Sequence, residues 1–91
     1  MNNQVICHNE FTIVGRITSE IEIIDDCITR VLILCPNDDD YEKLANKVYI
    51  DFSVSEYDFF SSMIDHAIAV TGHVEFNNYL RLISDMYKII Y

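Results

Sequence analysis

The stretch Phe11–Ile24, FTIVGRITSEIEII, decides the fold of this 91-residue chain. Its first half alternates, with Phe11, Ile13 and Ile17 on one side, and this period of two is typical of a β-strand. The apolar residues continue to the end of the stretch, so the predicted strand is unusually long. Gly15 lies in its middle and predicts a bulge or sharp bend, which lets one strand serve two sheets.

Four further strands and one short helix follow along the chain. Period-two patterns predict the strands at 27–34, 47–53, 67–76 and 79–90. The sequence SEYD at 55–58 is typical of a helix N-terminus and predicts an amphipathic helix over 56–66, while Asn77-Asn78 predicts a two-residue hairpin turn. This order of elements, in an all-β chain with one short helix, is that of the five-stranded OB-fold barrel, whose closure removes exposed sheet edges.

Length and composition indicate one domain over residues 1–91, with polar, unpatterned residues 1–9 as a flexible arm. The hydrophobic fraction of 51% argues against disorder. No apolar run approaches the roughly 20 residues that a membrane helix needs, and the N-terminus lacks the features of a signal peptide. We therefore expect a cytoplasmic protein without membrane contact. A domain of this size is expected to be either marginally stable alone or a homo-oligomer, and we expect the homo-oligomer.

The charge balance favours a basic partner over an anionic one. Fifteen acidic residues against six lysines and arginines give a net charge of −9, which repels nucleic acid at long range. No catalytic motif is present, so we expect a protein that is not an enzyme and needs no cofactor. A metal site is not expected either, because Cys7 and His8 are adjacent and would point to opposite sides of a strand.

Two segments resemble the bacterial single-stranded DNA-binding protein family. FTIVGRIT at 11–18 is similar to the first strand of that family, and IAVTGHV at 68–74 is similar to its fourth. The resemblance covers roughly residues 10–90 and implies an OB-fold that binds single-stranded DNA in replication or on a mobile element. Ser19-Glu20 departs from the Asp-Pro that commonly follows the first motif. Because the chain stops at Tyr91 without the family's tail, it is more similar to primosomal protein B, a dimeric relative, or to a phage or plasmid version.

Binding of single strands requires aromatic rings for base stacking and cations for the backbone. The nucleic-acid-binding candidates are Tyr49, Arg16, Arg30, Lys47, Tyr79 and Arg81. Cross-strand packing is the alternative role for the tyrosine, and salt bridges are the alternative for the arginines.

A second hypothesis is an acidic OB-fold interaction module, or nucleic-acid mimic, that binds a basic protein and has lost DNA binding. Its candidate residues lie in the acidic loop that the pattern predicts between the second and third strands: Asp38, Asp39, Asp40 and Glu42. A positive groove around Tyr49 favours DNA binding, whereas a continuous negative face favours the basic protein.

Overall fold

The computed structural model describes residues 9–35 and 46–91. Its elements, in chain order, are β1 Phe11–Ile24, β2 Ile28–Cys35, β3 Asn46–Ser53, a 3-10 turn Val54–Glu56, α1 Tyr57–Ser61, β4 Ala67–Asn77 and β5 Tyr79–Ile89. The strands close into a barrel in the order β1-β2-β3-β5-β4, in which only the β3–β5 pair is parallel. The predicted five-stranded OB-fold barrel with one short helix is confirmed. No helix in the described part of the chain is long and apolar enough to cross a membrane.

β1 serves two neighbours, as its length predicts. Residues 11–16 pair with β4, and residues 16–24 pair with β2. Gly15 is predicted as a bulge or sharp bend, but the bulge in the β1–β2 register lies further along, between Ile17 and Ile21. Gly15 is needed for close packing instead, because a Cβ atom there would lie 2.7 Å from the carbonyl oxygen of Leu34 on β2.

The core lies inside the barrel and is built from the inward phase of the strands. It contains Ile17, Val31, Ile33, Ile50, Phe52, Phe60, Ile68 and Val70. Phe60 is the member contributed by α1; it is fully buried, with its ring centroid 4.3 Å from that of Phe52 and 5.2 Å from that of Tyr87. The helix therefore completes the core of the barrel.

The helix is shorter than the sequence predicts, ending at Ser61 rather than at residue 66. The backbone N–H of Asp65 donates to the carbonyl of Ile17 at 2.7 Å, and the N–H of Ile17 donates to the carbonyl of His66 at 3.0 Å. These bonds hold residues 65 and 66 against β1, so the chain leaves the helix before them. Asp65 adopts a φ of 73°, which is incompatible with a continuing right-handed helix.

The β4–β5 hairpin explains why the apolar phase of β5 changes along its length. Thr71 pairs with Met86 and Gly72 pairs with Ser84, so Asp85 is the extra residue of a bulge. At the other end of the hairpin, Asn77 pairs with Tyr79, leaving Asn78 alone in the turn with a φ of 71°. The predicted two-residue turn is thus one residue shorter.

Residues 1–8 of the predicted flexible arm lie outside the described residues. Asn9, at the end of that arm, is bonded to β4: its side chain donates to the carbonyl of Val74 and accepts from the N–H of Val74 at 2.9 Å. The chain is therefore attached to the barrel two residues before β1 begins.

Candidate nucleic-acid interface

Four of the six predicted nucleic-acid-binding residues line one shallow cleft of about 190 Å³ on the outer surface of the barrel. The alternation of β3 directs Tyr49 outward while its neighbour Ile50 is in the core. The full lining is Arg30, Tyr49, Asp51, Tyr79, Leu80, Arg81 and Leu82. We call this the β2–β3–β5 cleft, after the strands that form it.

Asp51 lies at the base of the β2–β3–β5 cleft and binds both of its arginines. It is paired with Arg30 across the β2–β3 ladder, while the parallel β3–β5 pair brings Arg81 to its other side. Arg30 donates to its carboxylate from Nε at 2.7 Å and from one Nη at 3.0 Å, and Arg81 donates from Nε at 2.8 Å. The salt bridges that the sequence offered as an alternative role for the arginines are thus present for these two.

The pairing stabilises the charged forms of Asp51 and Arg30. Burial alone would raise the pKa of Asp51, which is only 3% exposed, but the hydrogen bonds from Arg30 and Arg81 outweigh that effect and lower it. The hydrogen bond to Asp51 likewise raises the pKa of Arg30. The three side chains therefore carry a net charge of +1 near neutral pH.

The aromatic rings of the cleft are available to a ligand. Tyr49 and Tyr79 are 50% and 53% exposed. The guanidinium carbon of Arg30 lies 5.9 Å from the centroid of the Tyr79 ring, a cation–π distance. Phe76 and Leu80 are also exposed near the tip of the β4–β5 hairpin. Two half-exposed tyrosines thus flank a pair of arginines.

Arg16 and Lys47, the other two predicted residues, do not line the β2–β3–β5 cleft. Register places Arg16 opposite Leu34, and Leu34 opposite Lys47, so the three form one row across β1, β2 and β3. Lys47 is two residues from Tyr49 and therefore on the same side of β3. The row extends the face at one side of the cleft.

The candidate residues of the second hypothesis lie outside the described residues: Asp38, Asp39, Asp40 and Glu42.

The face around Tyr49 is neither a positive groove nor a continuous negative surface. Glu20 and Glu22 of β1 line a second small cleft with Tyr49, and Glu22 is paired with Arg30 across the β1–β2 ladder. The tyrosine ring therefore separates an acidic cleft from the arginine-containing one. Electrostatics here favour an anionic ligand in the β2–β3–β5 cleft over the acidic cleft beside it.

Sequence reasoning missed Asp51, Leu80 and Leu82, which line the cleft, and also the exposed Phe76 near the hairpin tip. Asp51 has the outward phase of β3 and so resembles an ordinary surface residue. The signal that it is not one was available in part: pairing the predicted second and third strands as a hairpin places Asp51 opposite Arg30. The contact with Arg81 has no such local signal, because it requires closure of the barrel.

A second polar cluster lies on the outer surface of β4 and β5. The Nδ1 atom of His73 lies 2.9 Å from a carboxylate oxygen of Asp85, and its Nε2 atom lies 3.1 Å from one of Glu75. The hydrogen bonds to Asp85 and then Glu75 raise the pKa of His73. In residues 9–35 and 46–91, no group of three His, Cys, Asp or Glu side chains is arranged to hold a metal ion.

The barrel is an OB-fold, an architecture that it shares with several solved structures. The N-terminal domain of the PriB protein from Thermoanaerobacter tencongensis, solved as a dimer, is similar at a TM-score of 0.73 with 12% identity, over 91% of this chain and 97% of that one. The mitochondrial single-stranded DNA-binding protein Rim1 from S. cerevisiae is similar at 0.71 with 19% identity, over 93% and 96%.

A third solved structure, the second single-stranded DNA-binding protein of Mycobacterium smegmatis, is similar at a TM-score of 0.62 with 13% identity, over 90% of this chain and 88% of that one. No family model and no curated protein matches the sequence. At these identities the three structures establish the fold. They agree with the resemblance that the motifs at 11–18 and 68–74 indicate.

Proposed function

We propose that this protein is a non-catalytic, cytoplasmic module that binds single-stranded DNA in replication or in the metabolism of a mobile element. The observation that carries the proposal is the β2–β3–β5 cleft, where Tyr49 and Tyr79 flank Arg30 and Arg81. Support also comes from the barrel, which is similar to solved single-stranded DNA-binding proteins.

In this proposal the bases stack on the two tyrosine rings, while the arginines contact the phosphates beside them. Stacking tolerates any sequence, because every base has a π-face. Lys47 and Arg16 continue the path of the strand along the row that crosses β1, β2 and β3. The net charge of −9 opposes the approach of DNA, so we expect affinity to depend strongly on contacts in the cleft and little on long-range attraction.

Fluorescence anisotropy of a labelled dT oligonucleotide tests the proposal. We expect saturable binding in the micromolar range or tighter at about 50 mM salt, with weaker binding at about 200 mM. For single strands, the logarithm of affinity falls by about 0.7 per neutralised phosphate for each tenfold rise in salt, so the slope counts the cations engaged. Absence of binding at the lower salt contradicts the proposal and directs the search to basic protein partners.

The proposal includes self-association through the edge of β1. Among residues 9–35 and 46–91, residues 11–15 pair with β4 on one side, whereas pairing with β2 on the other side begins only at Arg16. Such an edge offers backbone donors and acceptors to another strand. A second copy of the chain is the partner we expect to pair there.

Sedimentation velocity over a range of protein concentrations measures this association. We expect a species of twice the monomer mass, and we expect Val14→Lys to shift the equilibrium toward monomer, because a lysine on an edge opposes strand pairing. Val14 is 57% exposed, so the substitution leaves the core unchanged. A protein that stays monomeric even at the highest soluble concentration contradicts self-association.

A further inference from the structure

Asp51 is a negative charge placed at the centre of a surface proposed to bind an anion. It is 3% exposed, and carboxylates are seldom so buried unless they are paired. By charge alone, it should weaken the binding of DNA. Its contacts indicate the opposite effect.

The contacts fix the orientation of two otherwise flexible side chains. Arg30 is held in a bidentate arrangement, through Nε at 2.7 Å and one Nη at 3.0 Å, and the planar guanidinium is thereby oriented. Arg81 is held through Nε alone, at 2.8 Å. An arginine has five N–H donors, of which Asp51 accepts two from Arg30 and one from Arg81. Asp51 thus orients both groups without using all their donors.

The orientation extends from the arginines to an aromatic ring. The guanidinium carbon of Arg30 lies 5.9 Å from the Tyr79 centroid, and Tyr49 lines the same cleft. Displacement of Arg30 would therefore move a positive charge and also alter the surroundings of the Tyr79 ring. Binding is tighter when such groups are ordered before the ligand arrives, because their ordering no longer costs free energy on association.

We infer that Asp51 is a positioning residue for single-stranded nucleic acid, holding Arg30 and Arg81 beside Tyr49 and Tyr79 so that this buried negative charge strengthens binding of an anionic ligand. The inference rests on the proposed function. It adds to that function a negatively charged residue, Asp51, that strengthens the binding of an anionic ligand.

Asp51→Asn distinguishes the effect of charge from the effect of orientation, because the two predict opposite changes in the affinity for DNA. Removing the negative charge would tighten binding if charge alone mattered. Loss of orientation would weaken binding, since an amide oxygen is a weaker acceptor than a carboxylate oxygen and the amide NH₂ would face an arginine N–H. We expect the dissociation constant for labelled dT to rise by about 2- to 10-fold for each arginine released. The salt slope should fall by about 0.7 for each phosphate that an arginine no longer neutralises, which a change confined to barrel stability would not produce.

Glu22→Gln is the matched control. It removes the same unit of charge from an exposed residue paired with Arg30 across the β1–β2 ladder. We expect it to bind dT as tightly as wild type or more tightly, with an unchanged salt slope.

The outcomes separate the inference from the function on which it rests. Wild-type protein that does not bind dT overturns both. Binding by wild type with equal or tighter binding by folded Asp51→Asn overturns the role of Asp51 alone. If circular dichroism shows that Asp51→Asn does not fold, Asp51→Glu replaces it, because glutamate keeps the negative charge and displaces the carboxylate from the two guanidinium groups. Weaker binding by Asp51→Glu supports the inference, and unchanged binding overturns it.

Discussion

Phe60→Ala lowers the free energy of unfolding by about 3–5 kcal/mol, the expected cost of truncating a buried phenylalanine in a packed core. The Phe60 side chain is completely buried and contacts the rings of Phe52, Phe59 and Tyr87, at centroid distances of 4.3, 5.4 and 5.2 Å. Its loss leaves a cavity that the three neighbouring aromatic rings cannot fill without moving. Since small domains have a total stability of about 5–15 kcal/mol, this variant is expected near the limit of folding.

Urea unfolding followed by circular dichroism measures this effect, with Phe76→Ala as the control. Phe76 is the same residue type but is 75% exposed, so its truncation should change the free energy of unfolding by less than about 0.5 kcal/mol. Equal effects of the two substitutions would contradict the placement of α1 over the core.

The double variant Tyr49→Ala/Tyr79→Ala is expected to lose most of the affinity for single-stranded DNA. Each stacked base contributes about 1–3 kcal/mol by alanine substitution, so the pair should cost about 2–6 kcal/mol if the two effects add. Both rings are half-exposed, so we expect the barrel to remain folded. Titration of labelled dT at low salt gives the affinity of each single variant and of the double variant.

Met86→Ala is the control for this series. Its side chain is 68% exposed and lies in a different groove, beside Thr71 and Lys88. We expect its affinity to match that of wild type. If Tyr49→Ala and Tyr79→Ala bind as tightly as Met86→Ala, the β2–β3–β5 cleft is not the site of stacking.

The local pattern of the chain was sufficient to predict the strands, because a period of two is a property of neighbouring residues. The alternation around Ile50 and Tyr49 correctly separated core from surface. The end of the helix was not predictable in this way. It depends on the bonds that residues 65 and 66 make to Ile17, almost fifty positions earlier in the chain.

The candidate site was likewise predictable from the sequence only in part. Tyr49 and Arg30 could be proposed from the sequence, because they lie on adjacent strands with the outward phase. The β1–β2 register places Arg16 opposite Leu34, outside the cleft, whereas Arg81 and Tyr79 join the cleft through the parallel pairing between β3 and β5. No pattern within either strand specifies that pairing.

The sequence by itself determined the order of the elements and the inward and outward phases of the strands, since these follow from side-chain periodicity. Only the tertiary structure decided that Asp51 is buried and shared by two arginines, and that Gly15 serves close packing. Both depend on contacts between strands: the carboxylate meets Arg81 when barrel closure pairs β3 with β5, and the glycine meets the Leu34 carbonyl when β1 pairs with β2.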